Sequence, residues 1–308
     1  MKILFMGTGK FAEVSLRTLI DAGEDVVAVV SQPNKPKNRG MKVIPTPTAA
    51  VAEENSIDLY APETLRDGAL LPVLEEKQPD LIVVVAYGKL LPKYILEFPK
   101  YGCINIHGSL LPKYRGAAPI QWSIVNGEKI TGVTSMYLAE GMDTGDMILK
   151  KEMAVEPDDT YETLHDRLAV LGGELLKETV ELIRSGKVCA EKQIESEATY
   201  APMLSKAMGR IEWSRTADEI VNQVRGMNPW PCAYSENKGK RFKVYGARVS
   251  DKSGSAGEVL ECEKELVIAA GKGSILISEI QPDNKKRMRT EDFLRGNKTF
   301  FIKGDILR

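Results

Sequence analysis

Histidine is nearly missing from this chain: of 308 residues, only two, His107 and His165, carry an imidazole. Chemistry that needs a cluster of histidines is therefore excluded, and attention falls on His107. Cysteine is scarce as well. Cys103, Cys189, Cys232 and Cys262 are far apart, with no C-x-x-C pair, so neither a disulfide framework nor a zinc site is expected. Long apolar runs are absent: the longest, Leu81 to Ala86, falls far short of the roughly 20 residues a membrane helix needs. Met1 and Lys2 precede only four apolar residues before Gly7, too few for a signal-peptide core, which leads us to expect a cytoplasmic protein. No internal repeat is found. The net charge is only -1, but it is unevenly spread. From Gly209 onward there are 19 basic against 14 acidic residues, or +5, which leaves the first 208 residues at -6. A mildly basic tail thus follows an acidic body.

What is present reads first as an α/β protein. Lys2 to Met6 is a strand, Gly7 to Gly9 a turn, Phe11 to Ala22 a helix and Asp25 to Ser31 a second strand, which makes a βαβ opening. Gly7, Gly9 and Ala12 satisfy G-x-G-x-x-A, a pattern that invites a dinucleotide. An acidic residue for the ribose hydroxyls should then end the second strand. Ser31 and Gln32 stand there instead, so NAD is not expected. The stretch Asp80 to Ala86, apolar without a break from Leu81, marks a central parallel strand covered on both faces, and the expected sheet is doubly wound and mainly parallel. Thr160 to Ser185 has the pattern of a long amphipathic helix, on which His165 is an ordinary helix residue. Beyond a polar stretch, short alternating segments (RFKVYGARV, GEVLEC, ELVIAA, SILISEI, TFFIKGDILR) suggest a small β-barrel. The expected division is 1–188, a linker at 189–208, and 209–308.

Gln32 to Pro47 contains no acidic residue at all, but it carries four prolines together with Lys35, Lys37, Arg39 and Lys42. A loop of this length inside a compact α/β domain is usually functional or mobile, and a basic one suits a phosphate backbone.

Candidate chemistry centres on Gly102 to Pro119. The run from Gly102 to Ile106 reads as a short buried strand, and alternation puts Asn105 and His107 on one side of the sheet, with Ile104 and Ile106 on the other. Both polar residues fall at the carboxyl end of a strand, where open parallel sheets gather ligands. Downstream, the turn Ala139 to Asp146 (AEGMDTGD) holds three acids without the alternating carboxylates of a calcium loop, and one of them can reach toward His107. An Asn, a His and an Asp without a metal suit acyl transfer to an external amine: the amide donates to a developing oxyanion while the imidazole moves a proton. A serine hydrolase built on Ser109 competes, but G-x-S-x-G is absent.

Asn105-x-His107 followed by GSLLPKYRGAAP, and then GVTSMYLAEGMDTGDMI with Asp143, resemble the formyltransferases that use 10-formyltetrahydrofolate. Within them, GTGKFA, DLIVVVAYG, RIEW at Arg210 to Trp213 and NPWPCAYS at Asn228 to Ser235 resemble the branch that acts on charged initiator tRNA. The likeness runs over nearly the whole chain. It implies a Rossmann-like catalytic half that binds no dinucleotide, and an oligonucleotide-fold-like barrel that contacts tRNA. It also implies catalysis by Asn105, His107 and Asp143, with Ser109, Leu110, Leu111 and Pro112 along the folate. The implied cosubstrate is 10-formyltetrahydrofolate, with no metal, and the implied partner is initiator methionyl-tRNA, bound by a monomer through Arg39, Lys35, Lys37 and Lys42. The alternative is a relative that formylates a small amine, a nucleotide-linked amino sugar or glycinamide ribonucleotide. One departure is visible, Gly9 where the family usually has Pro.

Overall fold

The computed structural model describes residues 1–34, 36–37 and 42–307, and at 36, 37, 42 and 43 the backbone only. The chain forms two compact units. One comprises Met1–Gly116, Thr131–Ala154 and His165–Tyr200, and the other Ala117–Ile130, Val155–Leu164 and Ala201–Arg308.

In the first unit, β1 (Lys2–Gly7), β2 (Asp25–Val30), β5 (Leu59–Tyr60), β6 (Leu81–Val85), β7 (Cys103–His107), β8 (Ile130–Tyr137) and β9 (Met147–Ala154) build a seven-stranded sheet in the order β5-β2-β1-β6-β7-β8-β9. Two short strands between β2 and β5, β3 (Pro36–Lys37) and β4 (Lys42–Val43), pair with each other. The pairs from β5 through β7 are parallel, whereas β8 runs antiparallel to β7. The chain therefore winds outward from β1 in both directions, and the carboxyl ends of β1, β6 and β7 share one edge. Every residue of β6 is buried, as its apolar run requires of a central strand.

The glycines of the opening turn differ in what they do. A Cβ at Gly7 would lie 2.6 Å from Ala12 Cβ and 2.8 Å from Val85 O, so its glycine lets the helix Lys10–Asp21 close on the sheet. Gly9 has φ -88° and ψ -176°, open to any residue, and a Cβ there would meet nothing within 4 Å. Gly9→Ala should therefore raise the unfolding free energy by about 0.4–1 kcal/mol through the unfolded chain, as read by chemical denaturation. A destabilised Gly9→Ala would mean that the turn needs its glycine. The end of β2 is committed internally: Ser31 Oγ lies 2.6 Å from Thr46 Oγ1 and accepts from Thr48 Oγ1, beside the helix Pro47–Glu54 that Thr46 caps.

The long helix Tyr161–Arg184 carries Gly172 and Gly173 in its middle, where glycine costs about 1 kcal/mol against alanine. Contact explains them. A Cβ at Gly172 would meet Phe11 at 3.0 Å and Ile106 at 3.2 Å, and one at Gly173 would meet Thr18 Oγ1 at 2.5 Å. Overpacking costs about 1–3 kcal/mol, which outweighs the propensity gain, so the helix stays close behind β7 and fixes its depth. His165 sits on this helix, edge-on to Phe11 and hydrogen-bonded to Asp166, a packing role.

In the second unit, β10 (Ala233–Asn237), β11 (Lys240–Ser250), β14 (Ser274–Pro282), β13 (Leu266–Ala269) and β12 (Val259–Glu261) follow one another in an antiparallel sheet, and β15 (Met288–Arg289) adds to β14. It is a small barrel-like sheet. Its core is closed by the helix Ala217–Gly226, whose Thr216 and Glu219 form a capping box. One expectation needs correction. TFFIKGDILR is no strand: among its described residues, only Ile306 forms an isolated bridge, with Glu258. The apolar residues are there to fill the core, where Phe300 and Phe301 pack edge-on against Phe242 and Phe293.

Candidate active site

β7 ends where the sheet stops being parallel. His107, its last residue, sits in register with Thr134 of β8, and Asn105 with Met136 on β8 and Val84 on β6. The imidazole is buried, with 7% of the side chain exposed, and its Nε2 lies 2.9 Å from the carbonyl oxygen of Tyr114. A carbonyl only accepts, so Nε2 holds the proton and Nδ1 is left as the basic nitrogen. Nδ1 faces Asp143 Oδ2 at 3.7 Å, beyond a direct hydrogen bond.

Asp143 is delivered by the turn between β8 and β9, in the left-handed conformation at φ +52°. Its Oδ2 accepts the backbone N–H of Gly116 at 2.8 Å. Asn105 is half-buried, and among the described residues no hydrogen bond reaches its side-chain amide. Among the described residues its two N–H donors are therefore unused, two positions before His107 on the same strand. The three residues singled out from the sequence come together at the carboxyl edge of β7, within one compact unit.

Ser109 to Pro112 serve differently from one another. Ser109 is fully buried, its hydroxyl donates to Lys113 O at 2.6 Å, and its carbonyl accepts from Thr134 Oγ1 at 2.7 Å. Thr134 Oγ1 also accepts from Leu111 N–H, and Leu111 is buried with Met136 and Met147. Pro112 is buried too, after a cis bond, and Leu110 alone is partly open. The segment is a wall locked to β8 whose hydroxyl is already used. Of the basic loop, Lys35 and Arg39 lie outside the described residues, and Lys37 and Lys42 face each other across the β3–β4 pair, with their side chains outside the description.

The residues that the sequence did not single out are those holding the trio. Arg115 is buried at 1% exposure, yet its guanidinium is paired: Nε donates to Gln193 Oε1 at 2.9 Å, and Nη1 to both oxygens of Glu195 at 3.0 and 2.9 Å. Glu195 itself is largely exposed, so the pair is only half desolvated, but the buried guanidinium ties Gln193 and Glu195 to this loop and Arg115 is structural before it is anything else. The one available signal was its position, as one of two basic residues, with Lys113, in a short loop rich in apolar residues and glycine.

A family profile described as Formyl transferase matches residues 1–180, and one described as Formyl transferase, C-terminal domain, matches residues 203–298. The chain belongs to the formyl transferase family. A methionyl-tRNA formyltransferase from Citrifermentans bemidjiense is 49% identical over 97% of this chain and 94% of its own length, and one from Geobacter sulfurreducens is 47% identical over 96% and 94%. Among solved structures, an N-formyltransferase from Helicobacter canadensis in complex with folinic acid and dTDP-3-aminofucose superposes with a TM-score of 0.70. It is 21% identical and covers 92% of this chain and 99% of that one. HypX from Aquifex aeolicus in complex with tetrahydrofolic acid superposes at 0.64, with 18% identity, over 100% of this chain and 50% of its own. These last two likenesses show the fold that this formyl transferase family member shares with them. Among its described residues, no group of three or more His, Cys, Asp and Glu side chains could hold a metal ion, and no helix is long and apolar enough to cross a membrane.

Proposed function

We propose that this chain transfers the formyl group of 10-formyltetrahydrofolate to the amino group of methionine on initiator methionyl-tRNA, with Asn105, His107 and Asp143 as its catalytic residues. The observation that carries the reading is the meeting, at one strand end, of an Asn amide with no hydrogen-bond partner among the described residues, a buried imidazole with its basic nitrogen facing a carboxylate, and that carboxylate. Relatives of nearly equal length named for this reaction support the choice of acceptor. The amine nitrogen attacks the formyl carbon, and a C–N bond forms as the carbonyl becomes an oxyanion. Asn105 donates to that oxyanion. His107 Nδ1, beside Asp143, takes the proton from the attacking amine and returns it to N10 of the folate as the old C–N bond breaks. No covalent enzyme intermediate is needed. The wall from Ser109 to Pro112 borders the folate through its backbone and Leu110.

The tRNA is held through phosphates by the basic residues Lys35, Lys37, Arg39 and Lys42, and by the barrel-like domain, whose region carries the +5 balance. The division into a catalytic part at 1–188, a linker at 189–208 and a tRNA-binding part at 209–308 belongs to the same reading. So does action as a monomer in the cytoplasm, which the lack of a membrane-crossing helix among the described residues permits.

Formylation of charged initiator tRNA, followed by mass spectrometry against a series of salt concentrations, tests it. Product should form, and binding should weaken with a log–log slope of roughly 0.9 per phosphate contact on duplex. Arg39→Lys should lower tRNA formylation substantially, since lysine offers a point charge where arginine offers a planar fork. A flat salt response with an unaffected Arg39→Lys, together with formylation of an amino sugar, would move the acceptor to the small-amine class.

A further inference from the structure

The turn that delivers Asp143 is exposed at Glu140, Gly141, Met142 and Thr144, and its aspartate sits in a conformation that side chains other than glycine adopt rarely. Something outside the turn must hold it. Gln193 does so: its Nε2 donates to the carbonyl of Asp143 at 2.7 Å and to that of Gly145 at 2.8 Å. Within 189–197 it is the one residue not exposed. Its other end is fixed, since Oε1 accepts from the buried Arg115 Nε at 2.9 Å. Gly116, the next residue, donates its N–H to Asp143 Oδ2. The result is a closed ring running from the Asp143 carboxylate to Gly116, along the chain to Arg115, across to Gln193 and back to the Asp143 carbonyl. Both the carboxylate and the backbone of Asp143 are held by it.

We propose that Gln193 is a positioning residue for formyl transfer, setting Asp143 at its distance from His107 by clamping the turn from its carbonyl side. This rests on the catalytic reading of Asp143 given above. A misplacement of about 1 Å can cost on the order of a hundredfold in rate, and the clamp has that leverage because the residues flanking Asp143, Met142 and Thr144, are exposed. Arg115 is a poor handle for testing it, being buried. Gln193→Glu is a better one. The carboxylate keeps the shape and the acceptor for Arg115 Nε, but it loses both N–H donors and sets an acceptor against the two carbonyls. Gln193→Met removes the polar end altogether.

The experiment compares full-length wild type, Gln193→Glu, Gln193→Met, Asp143→Asn and the two double variants by steady-state formylation, with thermal melting of each. Each Gln193 variant should lose about 10–100-fold in kcat. KM for both substrates should stay within about threefold, since the loss is in the chemical step. In the Asp143→Asn background, the same changes should cost less than about twofold, because both act on one group. Gln193 variants within about twofold of wild type, or a loss equally large without the Asp143 carboxylate, would overturn the inference. A loss that tracks a lowered melting temperature in both backgrounds would do the same. An active Asp143→Asn overturns the catalytic reading, and the inference with it. An inactive Asp143→Asn beside an active Gln193→Glu overturns the inference alone.

Discussion

Replacing His107 by alanine will lower formylation turnover by about two or more orders of magnitude, the scale of general acid–base catalysis. A hundredfold loss is about 2.7 kcal/mol of transition-state stabilisation. Folding should survive, because the substitution strands one partner, the carbonyl of Tyr114, at a cost of about 1–3 kcal/mol, against a typical domain stability of about 5–15 kcal/mol. The loss should appear in kcat with substrate saturation preserved, and it should not add to that of Asp143→Asn, since the two side chains face each other and move one proton. Single-turnover formylation of charged tRNA checks this. A His107→Ala enzyme within about threefold of wild type would remove the imidazole from the reaction.

Asn105 should behave differently, and the contrast comes from its hydrogen bonding. Among the described residues its amide has no protein partner, so Asn105→Ala strands nothing and should leave the melting temperature almost unchanged. Activity should nevertheless fall by about 10²–10³, the effect of losing one oxyanion donor. Asn105→Asp should be worse than alanine, because it sets a negative charge where negative charge develops. The ordering wild type, alanine, aspartate in kcat, with stability flat across all three, is the signature of an oxyanion donor. An aspartate variant more active than the alanine one would mean that the group at 105 accepts, rather than donates, in the rate-limiting step.

The parts of this molecule that local pattern governs were legible in its residues. Leu81 to Val85 announced a central strand by its unbroken apolar run, and Asn105 and His107 shared a face because a strand alternates. Asp143 was reachable from three acids in one turn only with the help of the family resemblance. The antiparallel course of β8 was not legible, since direction of pairing leaves no periodicity in the strand itself. Gln193 was hidden for a related reason. It stands 50 residues from Asp143 and 78 from Arg115, in a polar run indistinguishable from linker, and its meaning comes wholly from contacts across the fold. TFFIKGDILR misled because burial, and not strand geometry, selects its aromatic residues.

The three consecutive residues Tyr114, Arg115 and Gly116 touch His107, Gln193 and Asp143 in turn. Two of these contacts are made by backbone atoms, which do not change when side chains do. The span between the holders of the imidazole and the carboxylate is therefore a gauge block of covalent length, about 3.8 Å from one Cα to the next. Sequence drift at Lys113 or Ala117 leaves that gauge intact, whereas adding or deleting a single residue between His107 and Tyr114 would displace both holders together. Relatives that keep the reaction should accordingly vary freely in the composition of this loop's exposed positions and hold its length constant.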